Sequence, residues 1–204
     1  MNILHIDSSI NGEFSLSRQL TAEVVRQLAS DRVVYRDVVK TPIAHLTGTV
    51  AAGFRPLRIA TDATAEDVRE HELSEALVNE FLNSDIIVIG APMYNFSVST
   101  QLKAWLDRLA QPGKTFSYTP TGPVGHATGK RIIVVSTRGG IYHGTPIEDM
   151  DFQERYLQKF FGFLGIDRVE FVRAEGATRG EEIRTKGVAQ AFDAIPSVIA
   201  AALK

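Results

Sequence analysis

The chain has 204 residues, with 22 Lys and Arg against 24 Asp and Glu, five His, 44% hydrophobic residues and no Cys. Its length and apolar content fit a single domain over residues 1–204 with a buried core. The missing Cys excludes disulfides, thiolate zinc sites, cysteine nucleophiles and cysteine-ligated iron–sulfur clusters, and a formal net charge of -2 with scattered basic residues disfavours nucleic acid or an anionic membrane as partner. Redox chemistry, if present, must be borrowed from a cofactor. No window approaches the roughly 18 uninterrupted apolar residues of a membrane span, and the first residues lack a charged and then apolar leader pattern, so a cytoplasmic protein is expected.

In chain order, residues 3–6 form a short apolar run, and Leu16, Leu20, Val24 and Leu28 follow at every fourth position. The first reads as a strand buried on both faces and the second as an amphipathic helix. Residues 33–38, interrupted by Arg36 and Asp37, suit an edge strand. The segment 41–63, with Pro42, Gly48, Gly53 and Pro56, is too long for an ordinary connection. Val68, Leu73, Leu77 and Phe81 mark a second helix, 86–89 a strand, and Leu102, Leu106 and Leu109 a third helix that also carries Trp105. Residues 111–129, holding three Pro and four Gly, form a second long excursion, in which Phe116 and Tyr118 are candidates for a wall of the substrate pocket. Then come a strand at 132–135, a helix with Tyr156, Leu157, Phe160, Phe161 and Leu164, a strand at 169–172, and a helix with Val188, Phe192, Ile195 and Ile199. Alternation of this kind predicts an α/β fold: a five-stranded parallel sheet with helices on both faces, in the flavodoxin-like order 2-1-3-4-5. Ligands of such sheets sit outside the carboxyl ends of the strands, which directs attention to three loops.

After the first strand, Ser15 is placed to cap a helix whose unpaired N–H groups, with the hydroxyls of Ser9, Ser15 and Ser17 and the charge of Arg18, would receive a phosphate. Taken alone, that loop is better explained as an ordinary serine-capped helix. No GxGxxG follows the strand, and Gly113-Lys114-Thr115 lacks the earlier glycine of a phosphate-binding P-loop. After the third strand, Pro92, Met93, Tyr94, Asn95 and Phe96 combine a rigid ring, soft and aromatic surface and an amide, which suits the edge of a flat heterocycle. After the fourth, Thr137, Arg138, Gly139 and Gly140 let the backbone pass close to a ring and offer N–H groups where charge develops on reduction. A simple chain reversal would also use two glycines. The five histidines are dispersed, no spacing suggests a metal site, and His5 reads as a hydrogen-bonded core residue.

Together these motifs resemble the FMN-dependent NADH-azoreductase family, within the flavodoxin-like NAD(P)H quinone reductase group. The resemblance spans nearly the whole chain, and its most specific block is Met93-Tyr94-Asn95-Phe96. It implies that Ser9, Ser15, Leu16 and Ser17 hold the FMN phosphate, that Pro92, Met93, Tyr94, Asn95 and Phe96 follow the ring and ribityl chain, and that Thr137, Arg138, Gly139 and Gly140 contact the pyrimidine end. Thr137 stands where Ser is expected in the best-known members.

The implied reaction is ping-pong two-electron transfer from NADH or NADPH through FMN to a quinone or azo compound, the cofactor carrying the redox step. Tyr142 and His143 lie in a variable part of the third loop and are candidate proton donors, with water as the competing source. A homodimer is also implied, Trp105 or the Phe116 and Tyr118 segment offering a surface. An electron carrier, a general NAD(P)H-dependent FMN reductase and a flavin-free interaction module are the alternatives. The weak net charge disfavours a carrier that docks by charge.

Overall fold

The computed structural model describes residues 1–55 and 64–204. Its main sheet comprises β1 (Asn2–Asp7), β2 (Arg32–Asp37), β3 (Ile86–Pro92), β6 (Arg131–Thr137) and β7 (Arg168–Ala174). All four pairings are parallel, in the order β2-β1-β3-β6-β7. With the two strands of a separate hairpin left out of the count, this is the expected 2-1-3-4-5 arrangement.

The apolar runs are continuous because the central strands are covered twice. Ile87, Ile89, Ile132 and Val134 face one layer, built from α3 (Ala65–Leu82), α4 (Thr100–Leu109) and α5 (Phe152–Phe163). The intervening Ile86, Val88, Ile133 and Val135 face the other, built from α1 (Leu16–Leu28) and α6 (Glu181–Leu203). Strand β2 lies at the edge, as expected; it is exposed over Arg32 to Tyr35, Val33 and Val34 included, while Arg36 and Asp37 are half-buried. Helix starts follow side-chain capping: Ser15, Ser99 and Asp151 cap α1, α4 and α5, and Thr64 with Asp67 forms a reciprocal capping box on α3.

Three expectations change. Val68 is 48% exposed, because α3 meets the core only from Leu73 onward. Trp105 is fully buried, edge-on to Phe81, and offers no subunit surface. The excursion 111–129 is an ordered antiparallel hairpin, β4 (Phe116–Thr119) and β5 (Gly122–Gly125). Its base lies on the chain just after α5: a Cβ on Gly125 would sit 2.1 Å from the Gly165 nitrogen, and Ala127 donates to the Leu164 carbonyl at 2.9 Å. Phe116 is buried against Phe163, with ring centroids 4.5 Å apart. The other long connection contains a short helix, α2 (Gly48–Ala52), capped by Thr47. The end of that connection, with Pro56, lies outside the described residues. No described helix is long and apolar enough to cross a membrane.

Candidate functional site

The three loops meet at the carboxyl ends of β1, β3 and β6, where they line a cavity of about 280 Å³. This lies just below the usual range for small-molecule sites, about 300–1,000 Å³, so a ligand larger than the groove would project from it. Larger concavities exist, including one of about 500 Å³ beside Asn2, Arg32 and Glu80 at the amino end of the sheet. The site is assigned to the smaller cavity because unpaired backbone donors converge there.

The first loop is fixed from beneath. Ser8 Oγ donates to the Gly90 carbonyl at 2.7 Å, and Arg18 Nη2 donates to the Ser9 carbonyl at 3.1 Å. Ser15 Oγ accepts from the Arg18 N–H and lies 3.0 Å from Ser17 Oγ. As the first two residues of α1, Leu16 and Ser17 have N–H groups with no acceptor among the described residues. The expectation that Arg18 adds charge to this receptacle needs correction. Its guanidinium is held 2.6 Å from Asp37 and 3.6 Å from Asp7.

Behind it sits a buried polar network. Asp7 Oδ1 accepts from Thr21 and Oδ2 from Tyr35, while His5 Nε2 lies 3.5 Å from the carboxylate. Burial pushes the Asp7 carboxyl up, but His5 by hydrogen bond and charge, with the two hydroxyls, outweighs it and holds it below its ordinary value. Burial and the Asp7 carboxylate push the Tyr35 phenol up to about 12, so it remains a donor.

The second loop is a tight turn. Tyr94 and Ser97 exchange backbone hydrogen bonds of 2.9 and 3.0 Å, and the two residues between them, Asn95 and Phe96, have φ of 47° and 70°. Asn tolerates that region, whereas an aromatic residue there is strained by about 1–2 kcal/mol. Met93 N–H donates to the Thr137 carbonyl at 2.8 Å, and Tyr94 Oη accepts from the Ile10 N–H at 3.2 Å, so the second loop is tied to both others. The Phe96 ring meets Tyr142 edge-on at 6.5 Å.

In the third loop, the carbonyls of Arg138, Gly139 and Gly140 are taken by the N–H groups of Ala177, Thr178 and Gly176, at 3.0, 3.1 and 2.8 Å. The N–H groups of Gly139, Gly140 and Ile141 find no acceptor among the described residues. Arg138 is neither a solvated loop charge nor a free cation. Its guanidinium is buried, 2.7 Å from Asp151, 2.6 Å from Glu154 and 2.9 Å from Glu175.

Of the residues singled out in the sequence, the cavity wall includes Ser9, Ser15, Leu16, Pro92, Met93, Tyr94, Thr137, Arg138 and Gly139. Ser17, Asn95, Phe96 and Gly140 adjoin these positions in the chain without lining the wall. Phe116 and Tyr118, expected to wall the substrate pocket, do not line it: the first is core, and the second is 75% exposed on the hairpin. His143 is exposed, its Nδ1 3.2 Å from Glu148, and lines a separate concavity with Ile141 and Glu175. Sequence reasoning missed Asn11, Phe14, Ala177, Thr178 and Arg184, which complete the wall. Arg184 makes no ion pair among the described residues and supplies the cation that Arg18 does not. Only the position of α6 brings it there, so no local motif announces it. Among the described residues no group of three or more His, Cys, Asp or Glu side chains is placed to hold a metal.

A protein-family model described as a flavodoxin-like fold matches residues 1–198. The chain belongs to this family. It is 57% identical over 204 residues to a Xanthomonas euvesicatoria pv. vesicatoria protein named FMN-dependent NADH:quinone oxidoreductase 2, across 98% of this chain and 94% of the relative. A Ralstonia nicotianae family member, named FMN-dependent NADH:quinone oxidoreductase, is 53% identical over 206 residues, covering 98% and 97%. Among solved structures, an azoreductase from Bacillus anthracis str. Sterne superposes with a TM-score of 0.81 at 28% identity, over 97% of this chain and all of that one.

Proposed function

We propose that this chain is an FMN-dependent NADH:quinone oxidoreductase that also reduces azo compounds, in ping-pong order, with residues 1–204 acting as one FMN-binding domain. The observation that carries this reading is that one cavity wall brings together Leu16 of the first loop and Gly139 of the third, whose backbone N–H groups have no acceptor among the described residues, with Pro92, Met93 and Tyr94 of the second. A dianion fits at Leu16 and Ser17, where two N–H groups, the α1 dipole and the hydroxyls of Ser9, Ser15 and Ser17 coincide. A flat ring fits along Pro92, Met93 and Tyr94, with Asn95 and Phe96 next in the chain, and an acceptor-rich edge fits at the N–H of Gly139 with that of Gly140 beside it.

When bound, FMN supplies the two-electron chemistry, taking electrons from the reduced nicotinamide and passing them to an acceptor. The chain's part is to hold and tune. Backbone donors at Gly139 and Gly140 are fixed before any ligand arrives, so they stabilise charge at the pyrimidine edge with little reorganisation. A quinone requires one cycle and complete cleavage of an azo bond two. We assign NADH as donor, since the relatives carry it in their names, and place the enzyme in the cytoplasm. Small flat aromatic acceptors, rather than a docked protein, nucleic acid or membrane, are its partners. We also infer a homodimer: Phe14 is exposed on the cavity wall, Ile10 and Phe96 are exposed on the loops that form it, and a second copy would bring a residue such as Tyr118 to cover it.

Water delivers the protons in this reading. His143 is paired to Glu148 and faces away from the cavity wall, so His143→Ala should leave the rate of acceptor reduction and its pH profile unchanged. A lost acidic or basic limb would reinstate His143 as donor. The functional reading itself is tested by colour: purified protein loaded with FMN should be yellow, and anaerobic NADH should bleach it. A protein that takes up no FMN would sink the proposal, and one that is yellow but inert to NADH and NADPH would favour an electron carrier.

A further inference from the structure

We infer that Glu175 is a positioning residue for the flavin-facing loop, its carboxylate holding residues 139–143 so that the N–H groups of Gly139 and Gly140 stay turned to the pyrimidine edge; this rests on the FMN reading above. A single oxygen, Glu175 Oε1, accepts from Arg138 Nη1 at 2.9 Å, from the Tyr142 N–H at 2.9 Å and from the His143 N–H at 3.2 Å. The residues just after it take the carbonyls of Arg138, Gly139 and Gly140. One short stretch of chain therefore grips the loop by its carbonyls at one end and by its N–H groups at the other. What remains unpaired between the two grips is the set of donors offered to the cofactor.

Neutralising Arg138 does not require Glu175. Asp151 and Glu154 already lie 2.7 and 2.6 Å from the same buried guanidinium, and Arg173 also binds Glu154 at 2.7 Å. The cluster thus holds three carboxylates against two guanidinium groups, and the surplus acid is the one bonded to the loop backbone. Its two backbone N–H partners give it a role that charge balance leaves unexplained. Burial alone would raise its carboxyl, but the Tyr142 N–H, Arg138 and the His143 N–H together hold it below the ordinary range.

Two variants separate reach from charge. Glu175→Gln keeps an oxygen at the same distance and removes the charge; Glu175→Asp keeps the charge and withdraws the oxygen by one methylene. Amide hydrogen exchange on the apoproteins, FMN titration by fluorescence and the midpoint potential of the loaded protein are measured for each. Glu175→Gln should protect Tyr142 and His143 as the wild type does and bind FMN within about threefold of it. Glu175→Asp should lose that protection, bind FMN about tenfold or more weakly and shift the potential to more negative values, because the donors are no longer held in place. An Asp variant indistinguishable from wild type, or a Gln variant as impaired as Asp, would overturn the inference. Wild-type protein that binds no FMN would instead overturn the functional reading, and the exchange at Tyr142 and His143 would still decide whether Glu175 orders the loop.

Discussion

Phe96 sits at a φ of 70°, where a side chain is tolerated only if the surroundings hold it. Those surroundings are the paired bonds of Tyr94 with Ser97 and the Phe152 N–H, which donates to the Phe96 carbonyl at 3.1 Å. Replacing Phe96 by Gly relieves the backbone strain and forfeits a ring that is 40% exposed. Apoprotein stability measured by chemical denaturation should therefore stay level or rise by up to about 1 kcal/mol, while quinone turnover falls. A destabilised apoprotein would show that the ring is structural. Asp7 makes a prediction of a different kind. Its carboxyl is held below its ordinary value of 3.8, so the stability it contributes is complete above about pH 4 and is lost as pH falls through the folded value. Asp7→Asn should consequently be less stable than wild type at pH 7, and the gap should narrow below about pH 4. A gap independent of pH would assign the loss to packing alone.

Among the elements, the hairpin β4–β5, like the short helix α2, is one that periodicity did not reveal. Each strand has four residues and the second contains Gly and Pro, so neither composition nor alternation separates it from a loop. What orders it is distant in sequence, namely the close approach of Gly125 to Leu164 and Gly165 and the Phe116 ring on Phe163. A Cβ at position 125 would meet backbone atoms at 2.1 Å, which no side-chain rotation relieves. Gly125→Ala should cost about 2 kcal/mol or more in thermal unfolding and expose the hairpin to limited proteolysis. An alanine variant as stable and as resistant as wild type would mean that the hairpin shifts freely. The main helices were legible because their apolar positions recur every three or four residues, and the main strands because their apolar runs are short, continuous and rich in β-branched residues. Capping by Ser15 could be read in the same way, since it is a local decision. Arg18 and Arg138 could not be: their charges are consumed by Asp37, on the neighbouring strand, and by Asp151, Glu154 and Glu175, none of which is adjacent in sequence.

For the molecule as a whole, the sheet gathers its chemistry at one end and its hairpin at the other. Phe14 is 91% exposed beside the cavity and Tyr118 is 75% exposed on the hairpin. Both are large apolar surfaces that a second copy of the chain would cover. Size-exclusion chromatography with light scattering should give a dimer, and Tyr118→Ala should weaken acceptor reduction more than FMN uptake. A monomer of full activity would remove the second subunit from the site. The sequence supplied residue types but no geometry: Trp105 within the third helix and Tyr118 in the long excursion both read as candidates for a subunit surface, and only the packing of Trp105 on Phe81 separates them.

The cross-links between loops also bear on how fast the site fills. Met93 is bonded to Thr137, Tyr94 to Ile10, and Arg138, Gly139 and Gly140 to the segment after β7, all within the protein itself. A receptor assembled in advance has nothing to rearrange on encounter. Cofactor capture should then be a single concentration-dependent step in stopped flow, with no later unimolecular phase, and residence time rather than capture rate should distinguish weak variants from strong ones.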